Sequence, residues 1–263
     1  MSNIKIGLIQ TILHWENPSK NRDLLEKEIE SLSKETEIVI LPEMFSTGFT
    51  MNPGACAEEH EGDSFQWMKR IAGEKQMVVT GSISTHENGK YYNRLIWMQP
   101  DGKHHQYDKN HLFTHAGENK HYTPGKERII IEYKGWKFLP VICYDLRFPV
   151  FLRNRFDQEK GFEYDAMICV ANWPAPRSHP WRILLMARAI ENQCYAIGVN
   201  RIGEDGNGIQ YSGDSALIHP VGENLSNLMP HEQRSETVAM PRCQLDDFRK
   251  KFGVAMDWDD FEM

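Results

Sequence analysis

The sequence predicts an α/β fold in which strands and helices alternate along the chain and pack as layers. Three observations support this: short apolar runs that suit buried strands, amphipathic segments between those runs, and enough apolar residues for a large core. Of the 263 residues, 40% are hydrophobic and 11% are aromatic. A chain of this size can bury its core as one domain or as two closely packed halves.

The N-terminal part of the chain alternates strand-like and helix-like segments. Apolar runs predict strands, and segments with apolar residues on one helical face predict helices. In chain order the predicted elements are a strand at 4–9, a helix at 20–34, a strand at 38–41, a helix at 64–75 and strands at 77–83 and 92–99. Asn88-Gly89 is a strong turn signal before the last of these strands.

The middle of the chain combines a long loop with a hairpin. Residues 110–128 are polar, rich in His and Gly, and without a clear period, so we expect a loop over a functional site. The runs 129–133 and 136–143 resemble a hairpin that turns through Lys134-Gly135.

The C-terminal part repeats the alternation. The predicted elements are a helix from 144 to about 155, a strand at 166–171, a helix at 180–193 and strands at 195–200, 215–219 and 237–240. We expect residues 1–245 to form a single domain, and residues 246–263 to form an acidic, aromatic tail at a dimer interface. The pattern alone does not distinguish one sheet from two.

Charge and cysteine usage exclude several classes of protein. The formal net charge is -7 and no run of basic residues occurs, which argues against nucleic acid and anionic membranes as partners. No stretch approaches the roughly 18 apolar residues that a membrane span requires. The first residues do not resemble a signal peptide, and the five cysteines include no Cys-x-x-Cys pair. We therefore expect a cytoplasmic protein with reduced cysteines.

Cys143 is the first candidate for a catalytic group. It ends the apolar run 136–143 and precedes a helix-like segment, so we expect it on a sharp turn between a strand and a helix. Backbone N–H groups at a helix start favour the thiolate form of a cysteine, which predicts a reactive sulfur here. A cysteine after an apolar run is also often a plain core residue, so its role depends on the groups around it.

Two further polar residues stand where they could serve such a nucleophile. Glu43 comes directly after an apolar segment that ends at Pro42, and Lys109 follows Tyr107-Asp108. A glutamate at the end of a buried strand is partly withdrawn from water, which suits it to proton transfer, and a lysine beside it supplies positive charge for an oxyanion. Glu43 could instead cap the next element, and Lys109 could be an exposed loop residue.

Three sequence blocks around these residues resemble the nitrilase, or carbon–nitrogen hydrolase, superfamily. They are Leu41-Pro42-Glu43-Met44-Phe45, Tyr107-Asp108-Lys109-Asn110-His111-Leu112-Phe113 and Cys143-Tyr144-Asp145-Leu146-Arg147-Phe148-Pro149. They occur in family order, and the resemblance extends from the first strand to about residue 220. It implies an α-β-β-α sandwich of two packed mixed sheets flanked by helices. It also implies catalysis by a Glu-Lys-Cys triad without a metal or an organic cofactor.

The resemblance implies roles for individual residues. Glu43, Lys109 and Cys143 would form the catalytic triad, and Glu118, nine residues after Lys109, would be the assisting second glutamate. The backbone N–H of Tyr144 would join Lys109 in holding the oxyanion. The family commonly forms dimers through its helical faces, which implies a homodimer here.

Within the superfamily the chain looks most like the omega-amidases. The segments that carry this likeness are Ala171-Asn172-Trp173-Pro174, Ala187-Arg188-Ala189-Ile190-Glu191-Asn192-Gln193 and Phe113-Thr114-His115-Ala116-Gly117-Glu118. Omega-amidases hydrolyse the terminal amide of 2-oxoglutaramate or 2-oxosuccinamate through a cysteine thioester, releasing a 2-oxo dicarboxylate and ammonia. The carboxylate of such a substrate needs a partner. We expect the planar guanidinium of Arg147 to bind it, with Trp173 as an apolar wall.

Structural roles for these residues stay open on the sequence. Arg147 could form an ion pair with Asp145, Trp173 could be an ordinary core residue, and Glu118 could be an exposed loop residue.

Alternative activities also stay open. The chain could hydrolyse another small amide or an N-carbamoyl compound, or it could be a non-catalytic member that binds a metabolite or a protein. A histidine-dependent cysteine hydrolase is a third alternative. His111, His115 and His121 fit no common zinc pattern, so we assign them loop or packing roles.

Overall fold

The computed structural model describes residues 3–259. Its strands are β1 (Ile4–Gln10), β2 (Ile38–Ile40), β3 (Glu58–Glu59), β4 (Val78–Glu87), β5 (Lys90–Met98), β6 (His104–Asp108), β7 (Ile131–Tyr133), β8 (Trp136–Ile142), β9 (Phe156–Asp157), β10 (Gly161–Phe162), β11 (Ala166–Ala171), β12 (Tyr195–Asn200), β13 (Ile202–Glu204), β14 (Gln210–Ser212), β15 (Ala216–Ile218) and β16 (Arg234–Met240). Its α-helices are α1 (Pro18–Ser31), α2 (Pro53–Cys56), α3 (Asp63–Lys75), α4 (Pro149–Leu152), α5 (Ser178–Glu191) and α6 (Arg242–Lys251).

The strands form two main sheets. One has seven strands, in the order β16-β1-β2-β4-β5-β6 with β3 paired to β4, and the other has five, in the order β15-β12-β11-β8-β7. Both sheets are mixed. The central strands β1, β2 and β4 run parallel, as do β8, β11 and β12, whereas the flanking strands pair antiparallel, apart from the short β3, which pairs parallel with β4.

Alternate residues of the central strands face two different apolar cores. Leu8 on β1 and Ile168 on β11 belong to one cluster that joins the two sheets. Ile9 instead packs in the cluster with α1 and α3, and Cys169 packs in the cluster with α5. Because these strands are buried on both faces, their sequences are nearly continuous apolar runs. The resulting α-β-β-α sandwich confirms the predicted fold.

The segment after Cys143 differs from the predicted helix 144–155. It is a 3-10 turn, Cys143–Arg147, followed by the single turn α4. Phe148 breaks the run with φ -109° and ψ 86°, because the residue before a proline is pushed out of the helical region. The predicted loop 110–128 is irregular apart from two short 3-10 turns, Thr114–Ala116 and Glu118–Lys120.

The predicted boundary between residues 245 and 246 falls inside α6, so residues 246–251 continue the folded body. Leu245 is buried, and Asp165 pairs with Arg242 at 2.8 Å and with Arg249 at 2.7 Å. The last part of the predicted tail, residues 260–263, lies outside the described residues, so the interface role of the tail stays a prediction. No helix in the described part of the chain is long and apolar enough to cross a bilayer.

Candidate active site

The site lies where strands of both sheets end. Glu43 follows β2, Lys109 follows β6, Cys143 follows β8 and Asn172 follows β11. Because β8 and β11 are parallel neighbours, their carboxyl ends meet at one edge of the sheet, which is where α/β folds place their ligand sites. The fold therefore gathers residues that are far apart in sequence.

Cys143 occupies a strained turn. Its φ is 44°, in the left-handed region that non-glycine residues rarely adopt. Asp145 holds the turn in place. Its Oδ2 accepts hydrogen bonds from the Ile142 N–H at 2.9 Å and the Tyr107 hydroxyl at 2.8 Å. Its Oδ1 accepts one from the His111 N–H at 2.9 Å and lies 2.8 Å from His111 Nδ1. The predicted sharp turn after the strand is therefore present.

Glu43, Lys109 and Glu118 form a buried ion cluster beside Cys143. Lys109 Nζ donates to Glu43 Oε1 at 2.8 Å and to the two carboxylate oxygens of Glu118 at 3.1 and 3.0 Å. The side chains of all three residues are 0% exposed. The backbone N–H of Phe113 also donates to Glu118 Oε2, at 2.6 Å. Lys109 and Glu118 are thus not exposed loop residues.

Two asparagines complete the cluster, and sequence reasoning gave neither of them a role. Asn93 Nδ2 donates to Glu43 Oε1 at 2.8 Å and to Glu118 Oε1 at 3.3 Å. The Asn172 N–H donates to Glu43 Oε2 at 2.7 Å, and Asn172 Nδ2 donates to the Glu43 carbonyl at 2.5 Å. One sequence signal could have pointed to Asn93: asparagine is disfavoured in strands, yet it stands within strand β5.

Burial and ion pairing set the charge states of the cluster. Burial alone would lower the pKa of Lys109, but the Glu118 and Glu43 carboxylates together raise it above its ordinary value. Burial raises the pKa of Glu118, the Lys109 ammonium opposes that shift, and the neighbouring Glu43 adds to it. Lys109 is therefore a permanent cation in this site.

Cys143 does not have the stabilised thiolate that the sequence predicted. Burial raises the pKa of its thiol well above the ordinary value, and the Glu43 carboxylate raises it further, against the opposing effect of Lys109. The residue begins a short 3-10 turn rather than a full helix, so few aligned N–H groups face the sulfur. The resting sulfur is therefore a thiol that needs a base.

The start of the same turn offers a hydrogen-bond donor for an oxyanion. Tyr144 is the second residue of the 3-10 turn, and N–H groups in the first turn of a helix have no acceptor within it. Lys109, Cys143 and Tyr144 all line one pocket. A carbonyl oxygen next to the sulfur can therefore receive a backbone donor as well as the ammonium group.

The wall of the pocket is mostly aromatic and cationic. Its lining residues are Phe49, Lys109, Phe113, Ala116, Cys143, Tyr144, Arg147, Asn172, Trp173, Pro174, Arg177, Ile209 and Tyr211. The Arg147 guanidinium lies 4.7 Å from the centre of the Trp173 ring. The Asp145 carboxylate contacts His111 Nδ1 and does not pair with Arg147. Trp173 lines the pocket and also packs on Trp181 in the core, with the two ring centres 5.4 Å apart. It therefore belongs both to the pocket wall and to the core.

Within residues 3–259, no group of three or more His, Cys, Asp or Glu side chains is arranged to hold a metal ion. His111 instead stacks on Phe148, with ring centres 3.8 Å apart, and contacts Asp145. This is a packing role of the kind assigned to it from the sequence.

A comparison with protein families matches residues 5–250 to the carbon-nitrogen hydrolase family. The chain belongs to this family. Its members are hydrolases of carbon–nitrogen bonds, and the enzyme described here is therefore a hydrolase of that class.

Curated relatives of this carbon-nitrogen hydrolase are similar over all or most of its length. The omega-amidase YafV of Escherichia coli strain K12 is 40% identical over 263 residues, covering 100% of both chains. The 2-oxoglutaramate amidase of Bacillus subtilis is 33% identical over 224 residues, covering 84% of this chain and 85% of the relative.

Solved structures agree with the fold. A CN-hydrolase superfamily protein from Xanthomonas campestris, with an arsenic adduct in its active site, is 39% identical, covers 100% of both chains and superposes with a TM-score of 0.97. Nit3 of Saccharomyces cerevisiae, from the nitrilase superfamily, shares the fold at 22% identity and a TM-score of 0.81, covering 95% of this chain and 94% of its own.

Proposed function

We propose that the protein is an omega-amidase, which hydrolyses the terminal amide of 2-oxoglutaramate or 2-oxosuccinamate to a 2-oxo dicarboxylate and ammonia. The observation that carries this proposal is the 40% identity, over the full length of both chains, to the omega-amidase of Escherichia coli. The buried cluster of Glu43, Lys109 and Glu118 beside Cys143 supports it, because amide hydrolysis through a thioester needs a base, an oxyanion partner and a nucleophile.

In the acylation half-reaction, Glu43 accepts the thiol proton while the sulfur of Cys143 attacks the amide carbon. The Lys109 ammonium and the Tyr144 N–H hold the oxyanion, and each preorganised donor of this kind contributes roughly 3 kcal/mol. Glu43 then gives the proton to the amide nitrogen. The carbon–nitrogen bond breaks, ammonia leaves, and the acyl group remains on the sulfur as a thioester.

In the deacylation half-reaction, water enters where ammonia left. Glu43 accepts a proton from this water, whose oxygen attacks the thioester carbon, and the carbon–sulfur bond breaks. Glu43 returns the proton to the sulfur, which restores the resting thiol. Glu118 acts through Lys109, because both of its oxygens accept hydrogen bonds from the ammonium and fix its position.

Arg147 and Trp173 serve the non-reacting end of the substrate in this proposal. The guanidinium of Arg147 lies over the Trp173 ring in the same pocket as Cys143, which keeps its planar fork oriented towards the cavity. A carboxylate can accept two parallel hydrogen bonds from that fork. Trp173 forms the apolar wall along which the substrate's methylene groups lie.

The first experiment measures ammonia release from 2-oxoglutaramate by the wild type and by Cys143→Ala. We expect release by the wild type and none above background by the variant, since no other group in the pocket can form the thioester. Cys243→Ala is the matched control, because Cys243 is exposed and lies outside the pocket, and it should keep full activity. A wild type that releases ammonia only from N-carbamoyl compounds would refute the omega-amidase proposal.

We also propose a cytoplasmic homodimer. Five free cysteines support a reducing compartment. On α5, Ile183 and Ile190 are each 49% exposed and Met186 is 38% exposed, and their spacing puts them on one helical face. An apolar helical face of this kind is suited to a second copy of the chain.

A further inference from the structure

Arg177 is a second arginine in the pocket, and it has no role in the reaction so far. It ends the 3-10 turn Ala175–Arg177, and its guanidinium lies 5.4 Å from the centre of the Phe113 ring. It lines the same pocket as Arg147 and Cys143. The backbone carbonyl of Arg177 accepts a hydrogen bond from Trp173 Nε1 at 2.7 Å, which ties the turn to the wall under Arg147.

Neither guanidinium has an anionic partner in the described part of the chain. The ion pairs and hydrogen bonds of residues 3–259 include none from the side chains of Arg147 or Arg177. Their contacts are the faces of Trp173 and Phe113. A guanidinium carries five N–H donors, so this wall presents two sets of donors without acceptors.

The pocket holds no acid that could neutralise these cations. Its lining residues include Lys109, Arg147 and Arg177 but no aspartate or glutamate. Glu43 and Glu118 lie behind Lys109, fully buried and paired with it. Two unpaired guanidinium groups facing one cavity favour an anionic occupant and repel a cationic one.

We propose that Arg177 and Arg147 together hold the 2-oxo acid end of the substrate, and that Arg177 makes the enzyme select 2-oxo acid amides over the corresponding 2-amino acid amides. This inference rests on the proposed omega-amidase function. A 2-oxo acid end offers only acceptors, a carboxylate and a keto oxygen, which match the two guanidinium groups. The 2-amino acid end of glutamine carries an ammonium group at the same carbon. The two guanidinium groups repel this ammonium group, and the pocket lining offers no carboxylate to pair with it.

The contact between Arg177 and Phe113 has to be separated from this role. The Phe113 N–H donates to Glu118 Oε2 at 2.6 Å, so a change at Arg177 that moved Phe113 would disturb the catalytic cluster. A disturbance of the cluster slows every amide equally. Losing the Arg177 cation instead slows 2-oxoglutaramate and spares pentanamide, which lacks the charged end, and it affects glutamine less than 2-oxoglutaramate because it also removes a charge that repels the ammonium group of glutamine.

The test compares kcat/KM for 2-oxoglutaramate, L-glutamine and uncharged pentanamide in the wild type, Arg177→Gln and Arg177→Lys. For Arg177→Gln we expect a loss of roughly 10- to 100-fold on 2-oxoglutaramate, mainly in KM, the range for a lost charged hydrogen bond. Pentanamide should change by less than about threefold, since it makes no such contact. The preference for 2-oxoglutaramate over glutamine should fall, and Arg177→Lys should recover part of it.

Arg182→Gln is the matched control, because Arg182 pairs with Asp214 at 3.0 Å and does not line the pocket.

A second measurement does not depend on turnover. The product 2-oxoglutarate should protect Cys143 from iodoacetamide in the wild type, and the half-protecting concentration should rise roughly 10- to 100-fold in Arg177→Gln. Equal losses on all three amides, or an unchanged preference with unchanged protection, would overturn the role of Arg177 while leaving the omega-amidase function intact. A wild type that hydrolyses pentanamide but not 2-oxoglutaramate would instead overturn the proposed function, and this inference with it.

Discussion

A lysine and two glutamates without solvent contact shape the chemistry of this site. An isolated buried charge costs several kcal/mol, so such a group persists only with close partners. Lys109 donates to both carboxylates, and Asn93 also donates to both. Burial of the sulfur, and then the neighbouring Glu43 carboxylate, raise the pKa of Cys143 and favour its protonated form.

We expect Cys143 to be a neutral thiol in the resting enzyme at neutral pH. Burial and then the Glu43 carboxylate raise its pKa, so the thiolate fraction grows only as the pH rises well above the ordinary thiol range. The measurement is the ultraviolet thiolate absorbance of the wild type minus that of Cys143→Ser, followed from neutral to alkaline pH. A difference signal already complete at neutral pH would show instead that the sulfur is a stabilised thiolate.

At the scale of elements, parallel strand ends and one short turn position the nucleophile. The positions of the central strands along the chain could be predicted because burial on both faces leaves continuous apolar runs, as in β8 and β11. The 3-10 turn after β8 could not be predicted, because Asp145 fixes it through partners that are distant in sequence, Tyr107 on β6 and His111 in the loop after it.

Asp145→Asn should weaken both stability and activity. Each carboxylate oxygen of Asp145 faces two nitrogen or hydroxyl groups, so either orientation of the new amide puts its NH2 against a pair that needs an acceptor. We expect the free energy of unfolding to fall by roughly 2 kcal/mol, and kcat to fall because the turn that holds Cys143 loosens. Urea unfolding and steady-state kinetics measure the two effects.

Asp157→Asn is the matched control for that variant. Asp157 is exposed and its Oδ1 accepts the Glu159 and Lys160 N–H groups at 2.9 and 2.8 Å in a surface hairpin. Its substitution should change the unfolding free energy by less than about 0.5 kcal/mol and leave kcat unchanged. Equal effects of the two substitutions would contradict a special role for Asp145 in holding the turn.

For the whole molecule, the exposed apolar face of α5 is the predicted interface of the proposed homodimer. The double substitution Ile183→Lys with Ile190→Lys should convert a dimer to a monomer, because two charges would replace apolar contacts at the centre of the interface. Met229→Lys is the control, since Met229 is 62% exposed but lies outside α5. Analytical ultracentrifugation of the three proteins gives their masses. A double variant that stays dimeric would refute an interface through α5.

The sequence by itself determined the layered α/β fold, the positions of its central strands along the chain, and the identities of Glu43, Lys109, Glu118 and Cys143 as the groups of one site. Continuous apolar runs and short motifs are local properties, and they can be read from neighbouring residues.

Only the tertiary structure decided that the pKa of Cys143 is raised and that Asn93 and Asn172 contact Glu43. It also decided that Arg177 and Arg147 line the same pocket. These depend on burial and on distances between residues that are far apart in the chain. Such quantities arise only when the two sheets pack and bring their strand ends together.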